Sequence, residues 1–351
     1  MKKIAVILPS LRFGGAEVMA ARLMAGIDKT KYKILLIVLE NEEKEGIYPI
    51  IKENGIEYVC CNKEKKYDLK ALKRVSKVLL DFKPDVIHSH MFAYLYAVPY
   101  AIKHNIKLVH TIHSMPTFEM KSVYRMIIKR LYKSGKAIPV AISNTMGREV
   151  KRYYGVEPKV VNNPVLTDKF YHKDRSDSKI RFINVGRLTA PKNQALLLRA
   201  YKKVSEKNPD TELYVVGGGE EKESLFRLKD ELGINVTFTG AVSNVCDYLA
   251  QADVFVLSSD IEGLPLAVLE AMASSLPVVT TDAGGVADIV TDNGVIVPKN
   301  DEDLLFKAML DMANNKEKRL LMAKNSKKNV SEFDIEKCVE KYCAIYEKVM
   351  L

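Results

Sequence analysis

The chain has 351 residues, long for a single core, so two domains of roughly 150 to 200 residues each are expected. Hydrophobic residues at 47% and charged residues at 28% exclude a disordered chain and fit a soluble globular protein. The net charge of +10 is uneven: residues 1–170 carry 30 Lys and Arg against 16 Asp and Glu, leaving +14, and residues 171–351 carry 24 against 28, leaving −4. The basic half calls for an anionic partner, whether a phosphate-bearing ligand, an acidic membrane surface or nucleic acid, unless it reflects only scattered lysines. The five cysteines, Cys60, Cys61, Cys246, Cys338 and Cys343, fit no zinc or redox spacing. They read as reduced thiols of a cytoplasmic protein.

The opening MKKIAVILPS resembles a signal peptide, but its apolar run stops at Pro9 and reads as a buried first strand. From there, short β-branched runs alternate with helical patterns. Strands are expected at 3–9, 33–39, 85–90, 107–113 and 138–143, and helices at 15–27 and 69–82. This is the grammar of parallel strands with crossover helices, in which polar residues collect where strands end and ligands bind. The polar segment 162–179 reads as an interdomain linker. The grammar then restarts with strands at 180–186, 212–217, 235–240, 253–258 and 276–281, a helix at 194–204 and a terminal helix at 333–350. No window approaches the roughly 20 apolar residues that span a bilayer.

Several motifs sit at these strand ends. In LRFGGAE (11–17), Gly14 and Gly15 follow a strand and precede a helix, which makes either an anion seat or a plain tight turn. His88, His90, His110 and His113 occupy two adjacent strands. No acid or cysteine set completes a metal site, so His113 is expected to reach a ligand and the others to pack. In VGRLTAPKN (185–193), Gly186 ends a strand and Arg187 and Lys192 flank a turn, as a diphosphate clamp or as two solvated cations. In VVGGGEE (215–221), Gly217 and its neighbours permit close approach of a ring or phosphate, or make only a flexible turn.

The stretch DIEGLPLAVLE (260–270) is the most informative. Pro265 suits the first turn of a helix, so a helix start is expected near Leu264 or Pro265. The N–H groups around Gly263, Leu264 and Leu266 then form an anion site backed by the helix dipole. Glu262 lies just before the helix, and Glu270 lies more than a turn inside it among core-facing residues, where it needs a hydrogen-bonded partner.

Glu262 to Glu270 forms the E-x7-E pattern, set in EGLPLAVLEAMASSLPVV (262–279). With GRLTAPKN, the early GGAE and DAGG (282–285), the chain resembles the retaining glycosyltransferases of family 4 over nearly its whole length. The resemblance implies an α/β GT-B fold of two Rossmann-like domains facing across a cleft, with the C-terminal helix crossing back to the N-terminal domain. The implied domains are 1–170, on the acceptor side and joined by the terminal helix at about 333–351, and 171–332, which binds the nucleotide sugar. It implies transfer, with retention and without a metal or other cofactor, of a hexosyl or N-acetylhexosaminyl group from a UDP-linked donor to a glycan or lipid-linked acceptor. It also implies residue roles. Arg187 and Lys192 contact the diphosphate, Glu270 the ribose, Glu262 and His113 the sugar, and Gly263 to Leu266 the phosphate or sugar. Gly14 and Gly15 approach the diphosphate, with Gly186 and Gly217 also in the donor site. Glu262, His113, Arg187 and Lys192 would carry catalysis. Nothing is carried over to NNPV (162–165) or Asp288, where this chain departs from the family pattern.

Asp301-Glu302-Asp303 reads as helix-start acids favoured by the dipole rather than as a metal motif. The segment 118–136 holds six Lys and Arg and places Met120, Val123, Tyr124, Ile127, Ile128 and Leu131 on one helical face. That suits docking on the anionic inner face of the cell membrane, or only a helix covering the sheet. The alternatives in function are a GT-B nucleotide-sugar epimerase or phosphorylase, and a non-catalytic anion- or nucleic-acid-binding protein. Interleaved aromatics and nucleic-acid motifs are missing from the basic half, so no nucleic-acid partner is expected.

Overall fold

A computed structural model describes residues 1–41, 46–65, 68–114, 116, 122–173 and 179–350. Parts of two segments singled out above, 118–121 and 174–178, lie outside the described residues. The chain divides into two compact units, Met1–Pro164 with Ile335–Leu351, and Val165–Asp334.

In chain order the first unit contains β1 (Lys2–Leu8), α1 (Gly15–Gly26), β2 (Tyr32–Val38), α2 (Tyr48–Glu53), β3 (Glu57–Cys60), α3 (Leu69–Phe82), β4 (Val86–His90), α4 (Tyr94–His104), β5 (Lys107–Ile112), α5 (Ser122–Lys133), β6 (Ala137–Ala141), α6 (Asn144–Tyr154) and β7 (Lys159–Val160). Its sheet runs β3-β2-β1-β4-β5-β6-β7, and the pairings are parallel. Helices cover both faces of such a sheet, which is why its central strands read as unbroken apolar runs. Local chemistry sets the helix ends. Asp68 caps α3 by accepting from the Lys70 and Ala71 N–H groups, and Lys83 ends it in the left-handed region just before Pro84. Ser143 caps α6, and Gly155 ends it in the same left-handed way.

The second unit follows the same plan with β8 (Ile180–Val185), α7 (Gln194–Lys207), β9 (Thr211–Val216), α8 (Lys222–Leu232), β10 (Val236–Gly240), α9 (Val245–Ala250), β11 (Val254–Leu257), α10 (Leu266–Ala273), β12 (Val278–Thr281), β13 (Gly294–Val297), α11 (Glu302–Asn314) and α12 (Lys316–Asn329). Its sheet order is β10-β9-β8-β11-β12-β13, again parallel. In both units the chain works outward from a central strand in one direction and then in the other. The direction reverses between β1 and β4 and between β8 and β11. At such a reversal the loops leaving the carboxyl ends diverge and open a crevice for ligands.

The final helix, α13 (Ile335–Met350), belongs to the first unit. It lies tightly on α1, where a Cβ on Gly26 would meet Val339 Cγ2 at 2.8 Å. Its buried Tyr342 and Tyr346 reach β4 and β5. Tyr346 Oη lies 2.7 Å from His88 Nδ1, His88 Nε2 lies 2.8 Å from Thr111 Oγ1, and Tyr342 Oη lies 2.8 Å from that same hydroxyl. This continuous chain of hydrogen bonds satisfies the polar groups that the helix buries.

Two sequence expectations change here. The start of the presumed linker is docked onto the second unit: the Val165 N–H donates to Phe333 O, the Lys173 N–H donates to Ala250 O, and Tyr171 Oη donates to Asp247 Oδ1. The apolar residues of α5 also do not share one face. Ile128, Leu131 and Tyr132 are buried against the core, whereas Val123, Met126 and Ile127 are exposed.

Candidate functional site

At the carboxyl edge of the second sheet, β8 leads into Gly186 to Asn193 and β11 leads into Ser258 to Pro265. The two loops are stitched together. The Asp260 N–H donates to Pro191 O at 2.8 Å, Ser258 Oγ donates to Lys192 O at 3.1 Å, and Asn193 Nδ2 donates to Asp260 Oδ1 at 3.2 Å. Held this way, Lys192 Nζ donates to Glu262 Oε1 at 2.5 Å, and Ser259 Oγ donates to the same oxygen at 2.7 Å. The lysine side chain is 27% exposed and the glutamate 8%. A carboxylate this buried needs its cation, and removing the cation from such a pair costs roughly 3 kcal/mol or more. Both partners engage Oε1. Among the described residues Oε2 has none, and it remains available to a hydroxyl donor.

The backbone of Glu262 is fixed as well. Its N–H donates to Ala283 O at 2.9 Å, and it bridges Gly284. Gly284 sits at φ +84°, and a Cβ there would lie 2.7 Å from Glu262 O. The DAGG segment therefore supports Glu262, a role that the motif alone did not reveal. Arg187 is exposed, and among the described residues its guanidinium has no ion-pair or hydrogen-bond partner. It is a charged fork on a strand-end loop, suited to bidentate contact with an anion.

Helix α10 begins at Leu266, with Pro265 as the capping residue outside it at φ −71° and ψ 115°. Pro265 is thus one position earlier than a first-turn proline, because its ψ is extended. The first N–H groups of the helix still follow Glu262 directly, with the dipole behind them. Gly263 is half-buried, and Leu264 is buried. Glu270 is half-buried, a turn inside α10. Asp301 caps α11 by accepting from the Leu304 N–H, and Lys203 pairs with Glu302 and Asp303 at 2.7 Å each, so these three acids are occupied at a helix start.

The glycines differ in what the fold asks of them. Gly217 has φ +141°, and a Cβ there would lie 1.9 Å from Gly186 O. A Cβ on Gly186 would meet only Lys192 Cδ and Cε, at 4.0 Å. The backbone therefore requires glycine at 217, whereas at 186 glycine leaves open space beside Lys192.

At the corresponding edge of the first unit, Gly14 is the extended residue before α1 and Gly15 the first residue within it. The buried Glu17 turns back over Gly14, and its Oε2 would lie 2.2 Å from a Cβ placed there. The four histidines converge more than strand alternation suggests. The register pairs Ser89 with His110 and His90 with Thr111, and the His90 ring stacks on His113 and lies tilted against His88. His110 Nε2 donates to Met91 O at 2.9 Å, and Tyr132 Oη lies 2.5 Å from His110 Nδ1, so the ring holds one proton and is fully satisfied. Burial holds His110 down to about 4, and burial together with the His110 charge holds His113 down to about 3. Burial, with smaller contributions from neighbouring rings, also lowers His88 and His90 well below the usual histidine range. All four are neutral at pH 7. Among the described residues no group of three or more His, Cys, Asp or Glu is arranged to hold a metal ion, and no helix is long and apolar enough to cross a membrane.

Comparison with known proteins gives two adjacent family matches, Glycosyltransferase Family 4 over residues 13–169 and Glycosyl transferases group 1 over residues 168–329. The chain is 33% identical over 244 residues to an uncharacterized glycosyltransferase of Methanocaldococcus jannaschii, covering 61% of this chain and 59% of that protein. It is 27% identical to the UDP-Gal:alpha-D-GlcNAc-diphosphoundecaprenol alpha-1,3-galactosyltransferase of Escherichia coli, covering 94% of this chain and 96% of that one. Among solved structures, Anabaena HepE in complex with UDP and glucose superposes with a TM-score of 0.86 at 18% identity, covering 99% of this chain and 100% of that chain.

The glycine contrast gives a stability test. Gly217→Ala should lose about 2 kcal/mol or more in urea unfolding, because the strained backbone and the clash add. Gly186→Ala should stay within about 0.5 kcal/mol of the parent protein.

Proposed function

The chain belongs to glycosyltransferase family 4, and from that premise we propose that it moves a hexosyl or N-acetylhexosaminyl group from a UDP-linked donor to a glycan or lipid-linked acceptor, with retention and without a metal. The observation that carries this reading is the buried Lys192–Glu262 pair at the reversal between β8 and β11, on the same loop as Arg187, which has no side-chain partner among the described residues. Two cations meet a diphosphate there, and the first N–H groups of α10 add to them. The Gly263–Leu266 backbone follows the phosphate or sugar, and Glu262 Oε2 accepts from a sugar hydroxyl. Glu270 takes the ribose. Gly186 and Gly217 admit the donor close to the main chain. From the first unit, His113 contacts the sugar, and Gly14 and Gly15 approach the diphosphate. The UDP in the HepE complex and the UDP-Gal of the E. coli relative support the choice of nucleotide. The diphosphoundecaprenol acceptor of that relative supports a lipid-linked acceptor.

The reaction breaks the bond between the anomeric carbon and the diphosphate oxygen and forms one to an acceptor oxygen. Negative charge gathers on the departing UDP, where Lys192, Arg187 and the α10 N-terminus stabilise it. The departing diphosphate takes the acceptor proton, so no side chain is assigned as general base. Lys192 has a double role, because the cation that meets the phosphate also holds Glu262 against the sugar.

Lys192→Ala should lower kcat about 100- to 1000-fold, the usual effect of losing one preorganised donor to a developing charge. UDP release from a panel of UDP-sugars, read per folded molecule from a parallel thermal melt, measures it. Unchanged turnover would sink the clamp. Running each donor with and without acceptor separates transfer from epimerisation, which needs no acceptor.

A membrane-facing acceptor side also fits the first unit. On α5 the exposed Val123, Met126 and Ile127 lie on the face away from the core, with Arg130 and Lys133 exposed on the same helix. Apolar anchors beside cations suit anionic lipid. Co-sedimentation should be stronger with vesicles containing phosphatidylglycerol than with phosphatidylcholine vesicles, and Val123→Asp with Met126→Asp should abolish the difference. Equal sedimentation on both vesicle types would rule this docking out.

A further inference from the structure

The loop from Arg187 to Asn193 carries both cations of the site, and a buried side chain closes it. Gln194 Nε2 donates to Arg187 O at 3.0 Å, seven positions back. The amide thus ties the first residue of α7 to the start of the loop that leads into it. Within the loop, the Lys192 N–H donates to Thr189 O at 2.9 Å, and the Asn193 N–H donates to Ala190 O at 3.1 Å. Asn193 sits in the left-handed region at φ +46° and caps α7 by accepting from the Leu196 N–H. The Leu188 N–H donates to Gly218 O at 2.9 Å, so the loop after β9 anchors the other side.

Gln194 is 2% exposed, and its bond has a cost. The partner is a carbonyl, so the amide must turn its NH2 group toward it. That orientation leaves Oε1 buried with no partner. A buried, unpaired amide oxygen is unfavourable. Arg187 O does not depend on the amide, because the Thr189 N–H also donates to it at 3.0 Å. An apolar side chain of the same length would remove the orphaned oxygen and strand no other group. Stability therefore does not account for Gln194, whereas closure of the loop does.

We infer that Gln194 is a positioning residue that fixes the spacing of Arg187 and Lys192, so that the two cations meet one diphosphate together. The diphosphate is part of the proposed function above, and this inference rests on that reading. Lys192 is held by Glu262 and by its own loop. The root of Arg187 is held to the end of that loop through Gln194. Without the amide the root can drift relative to Lys192, and a bound diphosphate must then order it at a cost in affinity. Gln194 acts through Arg187 and not on the ligand.

Calorimetric titration of UDP into the full chain, beside a thermal melt of each variant, tests this. Gln194→Met keeps the length of the side chain and removes its donor. It should melt within about 3 °C of the parent protein. It should bind UDP about 3- to 10-fold more weakly, through the ordering then required. Gln194→His, whose ring N–H reaches as far as the lost amide, should recover most of the affinity. In an Arg187→Ala background Gln194→Met should add less than about twofold, because the spacing then serves no second cation. A loss that keeps its full size in that background would overturn the inference, as would no recovery in a folded Gln194→His. Failure of Gln194→Met to fold would overturn it too, because the role would then be structural. If Arg187→Ala weakens UDP binding and Gln194→Met does not, the diphosphate reading stands and this inference alone falls. If Arg187→Ala keeps full affinity, the diphosphate reading fails and takes the inference with it.

Discussion

The geometry of the proposed donor site depends on one ion pair. Lys192 and Glu262 stand 70 positions apart and meet at 2.5 Å on the carboxyl edge of the second sheet. A carboxylate with 8% of its surface exposed cannot stay there without its cation, and the cation cannot reach it unless the two loops are fixed. Hydrogen bonds from Asp260 and Ser258 fix them from one side, and Gly284 fixes the Glu262 backbone from the other. The result is a preorganised charge site. In the proposed transfer, little reorganisation would be left for the moment when charge develops on the departing diphosphate, and that absence of reorganisation makes such sites effective.

The same sheet plan is used twice, with different chemistry at the edge. In the second unit the reversal between β8 and β11 presents cations, a helix N-terminus and an acid. In the first unit the reversal between β1 and β4 presents a glycine turn and neutral histidines. Desolvation is what makes those rings neutral, and hydrogen bonds to Tyr132, Tyr346 and Thr111 make the burial of His88 and His110 tolerable. The terminal helix α13 supplies Tyr346, and also Tyr342, which bonds the Thr111 hydroxyl. The end of the chain therefore completes the polar core of the first unit, after the second unit has been traversed.

Much of this was legible in the sequence. Strands buried on both faces announce themselves as apolar runs, and Gly186, Arg187, Lys192, Glu262 and Glu270 stand out as polar residues or glycines at strand ends and a helix start. What could not be read belongs to tertiary register. No spacing joins Lys192 to Glu262. The pairing of β4 with β5 brings His90 to His113, and counting along either strand does not show it. Pro265 was expected within the first turn of α10, but its extended ψ makes it the cap. On α5 one apolar stripe was expected, and packing divides it, because the core takes Ile128, Leu131 and Tyr132 and leaves Val123, Met126 and Ile127 outside. The role of Gly284 was hidden for the same reason, since its constraint is the carbonyl of a residue 22 positions earlier.

The central claim is that the β8–β11 edge of the second unit is a diphosphate seat built around fixed cations. Arg187 gives the cleanest probe, because its guanidinium is exposed and supports nothing else among the described residues. Calorimetric titration of UDP into the parent protein and Arg187→Ala measures the seat without chemistry. The account predicts that Arg187→Ala melts at the parent temperature and binds UDP at least about tenfold more weakly, a loss of roughly 1.4 kcal/mol. An unchanged UDP affinity in the folded variant would contradict it.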